Sequence, residues 1–424
     1  MTGDDARSCM GMREFDPGRD SADVQRIWRE VGWLEPGKEE VMEVFLSSTS
    51  CALVGTIDDR AESLSISCPA VLRYLDGDLP MTAVTGVTTG LVARRQGLAM
   101  RVTAELVARE AQRGGFALAG LGMFEQGYYD RLGFGTGGYQ RWVSFDPARL
   151  RVPGGRPSAL PARLGADDWR EVHACRLSRM RGHGACSLLP PEATRAEMMW
   201  GRNAGGLGFR DGAGTLTHFL WMTSREPEHG PFEVPCMAYR SYDDLRDLLW
   251  LLSGLREQVD LIHVCEPAGI QLQDILASPM RTWRTTRRTR LEQGTVGIAY
   301  FQFRVLDLRA CVGAAHLTGC SGIRFNLELH DPLEAHLDVD STGWRGCSGD
   351  FTVGLGSESA LSKGHTRGLP LLRSSVNAFT RMWMGTLPAS GLAVTDDLVG
   401  PPGLLRELDA ALLPARDPRP DWDF

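Results

Sequence analysis

Lysine is nearly missing from this chain: Lys38 and Lys363 stand against 44 arginines in 424 residues. We read the imbalance as the base composition of a genome, so arginine-rich stretches carry little weight by themselves. Long apolar runs are missing too. The longest, 248–255, is stopped by Arg256 and Glu257, well short of the ~18 residues a membrane helix needs. The opening Met1-Thr-Gly-Asp-Asp-Ala-Arg7 lacks the basic flank and apolar centre of a secretion signal, so a cytoplasmic protein is expected. None of the ten cysteines forms a C-x-x-C, and none of the nine histidines falls at metal-ligand spacing. Reduced, mostly buried thiols and no metal are the expectation. H-E-x-x-H, G-x-S-x-G and G-x-x-x-x-G-K-[ST] do not occur, which leaves zinc-peptidase, serine-hydrolase and nucleoside-triphosphatase chemistry without support. A net charge of −7 disfavours a nucleic-acid partner.

What is present is enough to fold. With 43% hydrophobic and 23% charged residues the chain is not a disordered one. Its length suggests three domains, expected at 1–150, 151–289 and 290–424, with the Pro- and Gly-rich stretch 151–161 as the first linker. Apolar spacing at Val24, Ile27, Trp28 and Val31 predicts a helix over 21–33, with Ser21 as its N-cap. Strands are expected at 51–57, 63–72 and 81–89. A helix over 97–113 turns Leu98, Val102 and Leu106 inward and Arg101, Glu105, Arg109, Glu110 and Arg113 outward. A strand at 116–121, a short helix and a strand at 139–145 complete this part. Beyond the linker come a helix over 167–181, strands at 208–223 and 232–240, a helix over 243–258 and a strand at 259–265. Strand-strand-helix-strand thus occurs twice. From 290 the pattern changes to strands at 301–308 and 324–329 and helices over 370–384 and 401–413, a third α+β unit. The fold class is α+β.

The segment with most chemistry is Arg94-Arg95-Gln96-Gly97-Leu98-Ala99, between a predicted strand and a predicted helix. A helix start offers unpaired N–H groups and the positive end of the dipole, both suited to phosphate. Gly97 removes the Cβ that would block a close approach. Arg94-x-x-Gly97-x-Ala99 resembles the Q/R-x-x-G-x-G/A pyrophosphate loop of GNAT acyl-CoA transferases. Downstream, Glu125-Gln-Gly-Tyr-Tyr129-Asp-Arg131-Leu-Gly133-Phe-Gly135 is similar to the segment that carries a catalytic tyrosine in that family. Two such units, a third unit and a chain ending in phenylalanine together resemble the Eis (enhanced intracellular survival) N-acetyltransferases. Residue-level resemblance covers 84–135, with the acidic-Phe terminus matching separately.

The resemblance implies tandem GNAT-like domains followed by a sterol-carrier-protein-like domain. It also implies acetyl-CoA as cosubstrate and a small-molecule primary amine, aminoglycoside- or polyamine-like, or a lysine side chain as acceptor. Val87, Thr88 and Thr89 would pair with the pantetheine amides. Arg95, Gln96, Gly97, Leu98, Ala99 and Met100 would hold the pyrophosphate, with Arg94 at the rim, and Phe124 and Glu125 would lie beside the pantetheine. Tyr129 would be the general acid, with Tyr128 the alternative one position away. The terminal carboxylate of Phe424 would be the general base, with Asp423 adding charge at the acceptor mouth. Trp33, with Trp28 and Glu35, would wall the acceptor site. Family members are hexamers, so a homo-oligomer is implied. One departure is Phe124, where the family often has a small hydroxyl residue. It keeps open a transferase with another acyl donor or a natural-product acceptor. A lipid or small-molecule binder using the third unit is a further reading.

Three features are set aside. Gly133-Phe-Gly135-Thr-Gly-Gly138 spells G-x-G-x-x-G, but it follows a helix and leads into a strand, the reverse of a dinucleotide site. The second unit has Ser241-Tyr-Asp243-Asp244 at the corresponding turn, where two carboxylates would repel phosphate, so it is expected to bind no cofactor. The run Arg281, Arg284, Arg287, Arg288 and Arg290 is read as a solvated or subunit-contacting strand.

Overall fold

The computed structural model describes residues 9–201, 203–278, 286–318, 322–337, 343–412 and 418–422. These form two compact units. The chain starts in the first with β1 (Met10–Glu14), α1 (Pro17–Glu30), α2 (Glu39–Ser47), β2 (Cys51–Ile57), β3 (Arg60–Tyr74), β4 (Gly77–Thr89), α3 (Leu98–Arg113), β5 (Leu118–Gly122), α4 (Gln126–Asp130) and β6 (Gly135–Thr136). The second unit begins at Gly138. It contains β7 (Gln140–Phe145), β8 (Ala162–Leu164), α5 (Trp169–Ser178), β9 (Cys186–Leu188), α6 (Pro191–Trp200), β10 (Gly205–Arg210), β11 (Leu216–Ser224), β12 (Phe232–Ala238), α7 (Tyr242–Gly254), β13 (Ile262–Cys265) and β14 (Gly294–Ile298). From Tyr300 the chain is back in the first unit. There it forms β15 (Phe301–Val305), α8 (Leu308–Gly313), β16 (Ile323–His330), β17 (Gly349–Leu355), β18 (Ala360–Lys363), β19 (Leu371–Ser375), α9 (Val376–Trp383), α10 (Ala389–Thr395), β20 (Leu398–Val399) and α11 (Pro402–Leu412). Residues Arg419–Trp422 lie with the second unit.

The main sheet of the first unit runs β1-β2-β3-β4-β5-β15-β6. β3 and β4 pair along almost their whole length, broken by a bulge where Gly86 and Val87 face the single residue Ser65. Gly86 has φ +64, and a Cβ there would stand 2.7 Å from the Ile66 side chain, so the bulge needs glycine on both counts. α3 crosses from β4 to the parallel β5, as a βαβ connection must. Leu98, Val102 and Leu106 are buried as expected, but Glu105 and Glu110 are not outward. Glu105 is buried against Arg109 Nε at 2.8 Å. Glu110 accepts the Ser67 hydroxyl at 3.0 Å and an Arg113 N–H at 3.3 Å. Spacing alone misplaces them because the helix is covered on more than one face. α1 also starts earlier than expected: its N-cap is Asp16, which accepts from Gly18 N, while the Ser21 hydroxyl donates to the Pro17 carbonyl.

Strand partners depart from chain order. The boundary expected at 150/151 lies inside the second unit, because β7 pairs with β13 and β14 in a sheet ordered β14-β7-β13-β12-β11-β10-β8. The segment from 300 onward is no separate body, because β15 fills the place between β5 and β6. Its remaining strands form a five-stranded sheet, β18-β17-β16-β19-β20. The helix expected over 370–384 is half strand: Leu371–Ser375 pairs parallel with β16, and Ser375 then caps α9 by accepting from Ala378 N. The strand expected at 208–223 is a hairpin turned by Asp211, whose side chain accepts from Ala213 N and Thr215 N.

β15 brings a charge into the core of the first unit. Arg304 and Asp331 have no exposed side-chain area and meet at 2.6 Å. Arg304 also donates to the Leu132 carbonyl, and Asp331 accepts from Cys347 N at 2.9 Å. Removing one partner of such a pair leaves a charge buried without compensation. Asp331→Ala is therefore expected to cost about 3–5 kcal/mol, a fall of roughly 10 °C in the first thermal transition. A melting curve within 2 °C of wild type would show the pair contributes little.

Candidate active site

β4 and β5 pair only over Met81–Ala83 and Leu118–Gly120. β4 then runs on to Thr89 with β3 on one side and no paired strand on the other among the described residues. Main-chain groups on that edge have no strand to pair with among the described residues. The side chains of Thr88 and Thr89 make their bonds within β3 and β4. Thr88 Oγ1 donates to the Gly86 carbonyl at 3.2 Å, and Thr89 Oγ1 lies 3.4 Å from Ser63 Oγ. The expected cofactor residues Val87, Thr88 and Thr89 thus lie on the edge of β4 that no strand pairs among the described residues.

β4 leads into the turn 90–97. Gly90 N donates to the Glu62 carbonyl, and Leu91 N donates to Glu30 Oε2 at 2.8 Å. That bond, ahead of the contact with Arg26, holds the Glu30 carboxyl below its usual range. Arg26 joins Glu30 and Glu62, at 3.1 and 2.9 Å. The turn is thus tied to the end of α1 and the start of β3, a connection with no signature in the sequence. Arg94, Arg95, Gln96 and Gly97 are exposed, and Arg95 has φ +62. Gly97 caps α3 with φ +77 and ψ 0, no side chain caps the helix, and a Cβ at Gly97 would meet nothing within 4 Å. The first N–H groups of a 16-residue helix are left open beside two guanidinium side chains. Leu98 and Met100 have buried side chains, so only their amides can serve an anion.

The carboxyl end of β5 carries the second group. Phe124 is 69% exposed, and its ring lies 5.7 Å from that of Tyr129. Glu125 caps α4, its carboxylate accepting from Gly127 N at 3.1 Å. Tyr129 is buried in one apolar cluster with Val84, Leu98 and Leu121, so the two motifs share a core. Burial, with Tyr128 and Tyr300 adding, raises its pKa well above that of a free phenol. Burial also lifts Tyr128, to about 12. Both phenols are neutral near pH 7 and can donate but not accept a proton.

Sequence reasoning missed the residues that hold this loop. Asn377 Nδ2 donates to the carbonyls of Asp130 and Phe134, at 2.8 and 3.0 Å. Gln302 Nε2 donates to Asp130 Oδ1 at 2.7 Å, and Arg304 takes the Leu132 carbonyl. Arg381 Nε reaches the Thr136 carbonyl at 3.1 Å. No local pattern announces them. Gly86, an isolated glycine in a strand, was the one signal available for the bulge.

On the expected acceptor side, Trp33 is 41% exposed, edge-on to Trp28 at 5.9 Å. Trp28 is wholly buried and belongs to the core rather than to a site wall. Asp423 and Phe424 lie outside the described residues, as do Arg281 and Arg284. Arg290 is paired with Glu226. In the second unit Ser241 caps α7, accepting from Asp244 N at 3.2 Å, and Asp244 accepts from Arg240 N. That helix start is thus filled by its own side chains. Among the described residues no group of His, Cys, Asp and Glu could hold a metal, and no helix is long and apolar enough to cross a membrane.

No family model matches the chain, and no curated protein matches it in sequence. Solved structures do match it in fold. A GCN5-related N-acetyltransferase from Kribbella flavida superposes with a TM-score of 0.73 at 18% identity, over 98% of this chain and 99% of its own. Eis1 from Mycobacterium abscessus gives 0.74 at 16%, over 98% and 100%. A probable N-acyltransferase from Enterococcus faecalis gives 0.74 at 17%, over 99% and 100%. At these identities the likeness is one of fold, and it extends over nearly the whole length of each chain.

Proposed function

We propose that this protein is an acetyl-CoA-dependent N-acetyltransferase of Eis type, acting on a primary amine of a small molecule by direct transfer in a ternary complex. One observation carries the reading. β4 parts from β5 after Ala83, at the strand end that leads to the uncapped start of α3. An acyl-CoA fits both: its pantetheine amides satisfy the open edge of Val87–Thr89, and its pyrophosphate takes the amides of Arg95 to Met100, with Arg94 at the rim. Phe124 and Glu125 then lie beside the pantetheine. The acceptor ammonium loses a proton to the carboxylate of Phe424, directly or through water, and its nitrogen attacks the acetyl carbonyl. A main-chain N–H on β4 meets the oxyanion; as the intermediate collapses the attacking nitrogen loses its second proton to solvent, the C–S bond breaks, and Tyr129 protonates the departing CoA thiolate. Trp33 and Asp423 face the acceptor. The two strand-strand-helix-strand runs are read as tandem GNAT-like units, the second without cofactor, and the third sheet as the sterol-carrier-like part. A hexameric assembly is part of the same reading, checked by analytical ultracentrifugation.

The test is release of free thiol from acetyl-CoA across a panel of amines, with mass spectrometry of the protein as purified. Thiol release with some amine and co-purified CoA support the transferase. Bound lipid with no turnover on any amine overturns it. The phosphate assignment is tested separately. Gly97→Glu places a carboxylate at the dipole end and forces a side chain into a left-handed backbone, on an open surface where the core is untouched. CoA affinity measured by calorimetry is expected to fall at least a hundredfold with the fold intact. Unchanged affinity removes Gly97 from the site.

A further inference from the structure

The turn that leads from β4 to α3 has little apolar anchoring. Of residues 91–97 only Ala93 is buried. Two of its bonds are local: Ala93 N donates to the Gly90 carbonyl at 3.1 Å, and Gln96 Nε2 to the Val92 carbonyl at 2.7 Å. Among the described residues, two hydrogen bonds tie the turn to β3 and α1. Gly90 N donates to the Glu62 carbonyl at 2.8 Å, and Leu91 N to Glu30 Oε2 at 2.8 Å. Glu30 is the last residue of α1, and its second oxygen accepts from Arg26 Nη1 at 3.1 Å, one helical turn back. Arg26 is itself fixed on β3. Its Nη2 donates to the Ala61 carbonyl and to Glu62 Oε1, both at 2.9 Å, and its Nη1 lies 3.3 Å from Glu62 Oε2. Asp23 Oδ1 stands 3.6 Å from the same guanidinium. Gly90 rests directly on this group. A Cβ there would overlap the Glu62 carboxylate and stand 3.3 Å from both Arg26 Nη1 and Glu30 Oε2.

Charge alone argues against such a neighbour for a phosphate site. The Leu91 N–H, then the Arg26 guanidinium and last Arg94 hold the Glu30 carboxyl below its usual range. It is therefore an anion at neutral pH, within the field of an arginine assigned to the pyrophosphate. A nearby carboxylate by itself weakens the binding of another anion. What Glu30 supplies is position. A charge-assisted bond fixes the amide of Leu91, and the amides of Arg95 to Met100 follow it along the same short turn. We propose that Glu30 is a positioning residue for the acyl-CoA turn, aimed by Arg26 and Glu62. The inference rests on the acyl-CoA reading of that turn.

Calorimetry with CoA on the full-length protein tests it, because charge and position predict opposite signs. Glu30→Ala removes the charge and the acceptor together. Were Glu30 only a neighbouring charge, its loss would tighten CoA binding. As a positioning residue, its loss is expected to weaken CoA binding about tenfold, the lower end of what a hydrogen bond to a charged group contributes. Glu30→Gln discards the charge but keeps an oxygen for Leu91 N, so affinity is expected to stay within about threefold of wild type. Amide exchange at Leu91 is expected to rise in Glu30→Ala and to hold in Glu30→Gln. Gly90→Ala changes no charge and drives a methyl group against Glu62, and CoA binding is again expected to weaken about tenfold. Equal or tighter CoA binding by Glu30→Ala overturns the proposal, as does a Glu30→Gln variant as weak as Glu30→Ala. If Glu30→Ala does not fold, unchanged affinity in Gly90→Ala overturns it instead. Failure of the acyl-CoA reading looks different: the wild-type protein then binds no CoA, while exchange at Leu91 still rises in Glu30→Ala.

Discussion

With Phe424 amidated, or extended by a few residues, amine acetylation falls by about 10²- to 10⁴-fold, the usual weight of a general base. Melting temperature and CoA affinity are expected to stay where they were. The physical basis is the charge. An α-carboxylate has a pKa of about 3.3–3.7 and is ionised at neutral pH, whereas an alkyl ammonium must lose a proton before its nitrogen can attack. Amidation removes the charge and extension displaces it. The comparison is a thiol-release rate for tagged against untagged enzyme at equal CoA saturation. Equal rates would end the carboxylate's candidacy, and the base would be sought at Asp423, Glu125 or a water chain.

Tyr129→Phe keeps the ring in its apolar cluster and deletes only the hydroxyl. Turnover is expected to fall by about 10²- to 10⁴-fold, with KM moving far less, because the phenol acts when the thiolate leaves. The pH profile supplies a second readout. Burial raises the Tyr129 pKa above that of a free phenol, so the acid is protonated throughout the range below pH ~10. An alkaline limb seen below that pH belongs to another group and persists in the variant. Near-wild-type turnover in Tyr129→Phe moves the role to Tyr128, one position away and also neutral at pH 7. Tyr128→Phe then becomes the losing variant.

The motifs were legible because they are local. Gly97 stands where a strand hands over to a helix, and its left-handed backbone and open surroundings are what that turn needs. The strand expected at 51–57 and the helix expected from 97 are found within a residue, since alternation and 3.6-residue spacing are set by neighbours in the chain. Tyr129 is singled out by its motif, and the structure buries it among Val84, Leu98 and Leu121.

By itself the sequence placed most of the elements of the first unit and singled out the turn at 94–99, the segment around Tyr129 and the turn at Ser241–Asp244. Each depends on residues a few positions apart. Only the tertiary structure decided which strands pair. β15 sits beside β5, Phe303 opposite Gly120, and β7 leaves the first sheet for β13, because hydrogen bonds between strands carry no mark of distance along the chain. The same holds for Asn377 on the loop after Tyr129, for Arg304 against Asp331 and for Arg179 against Asp421. A buried guanidinium or amide is acceptable wherever folding brings an acceptor to it, and that partner is named only by the packed chain.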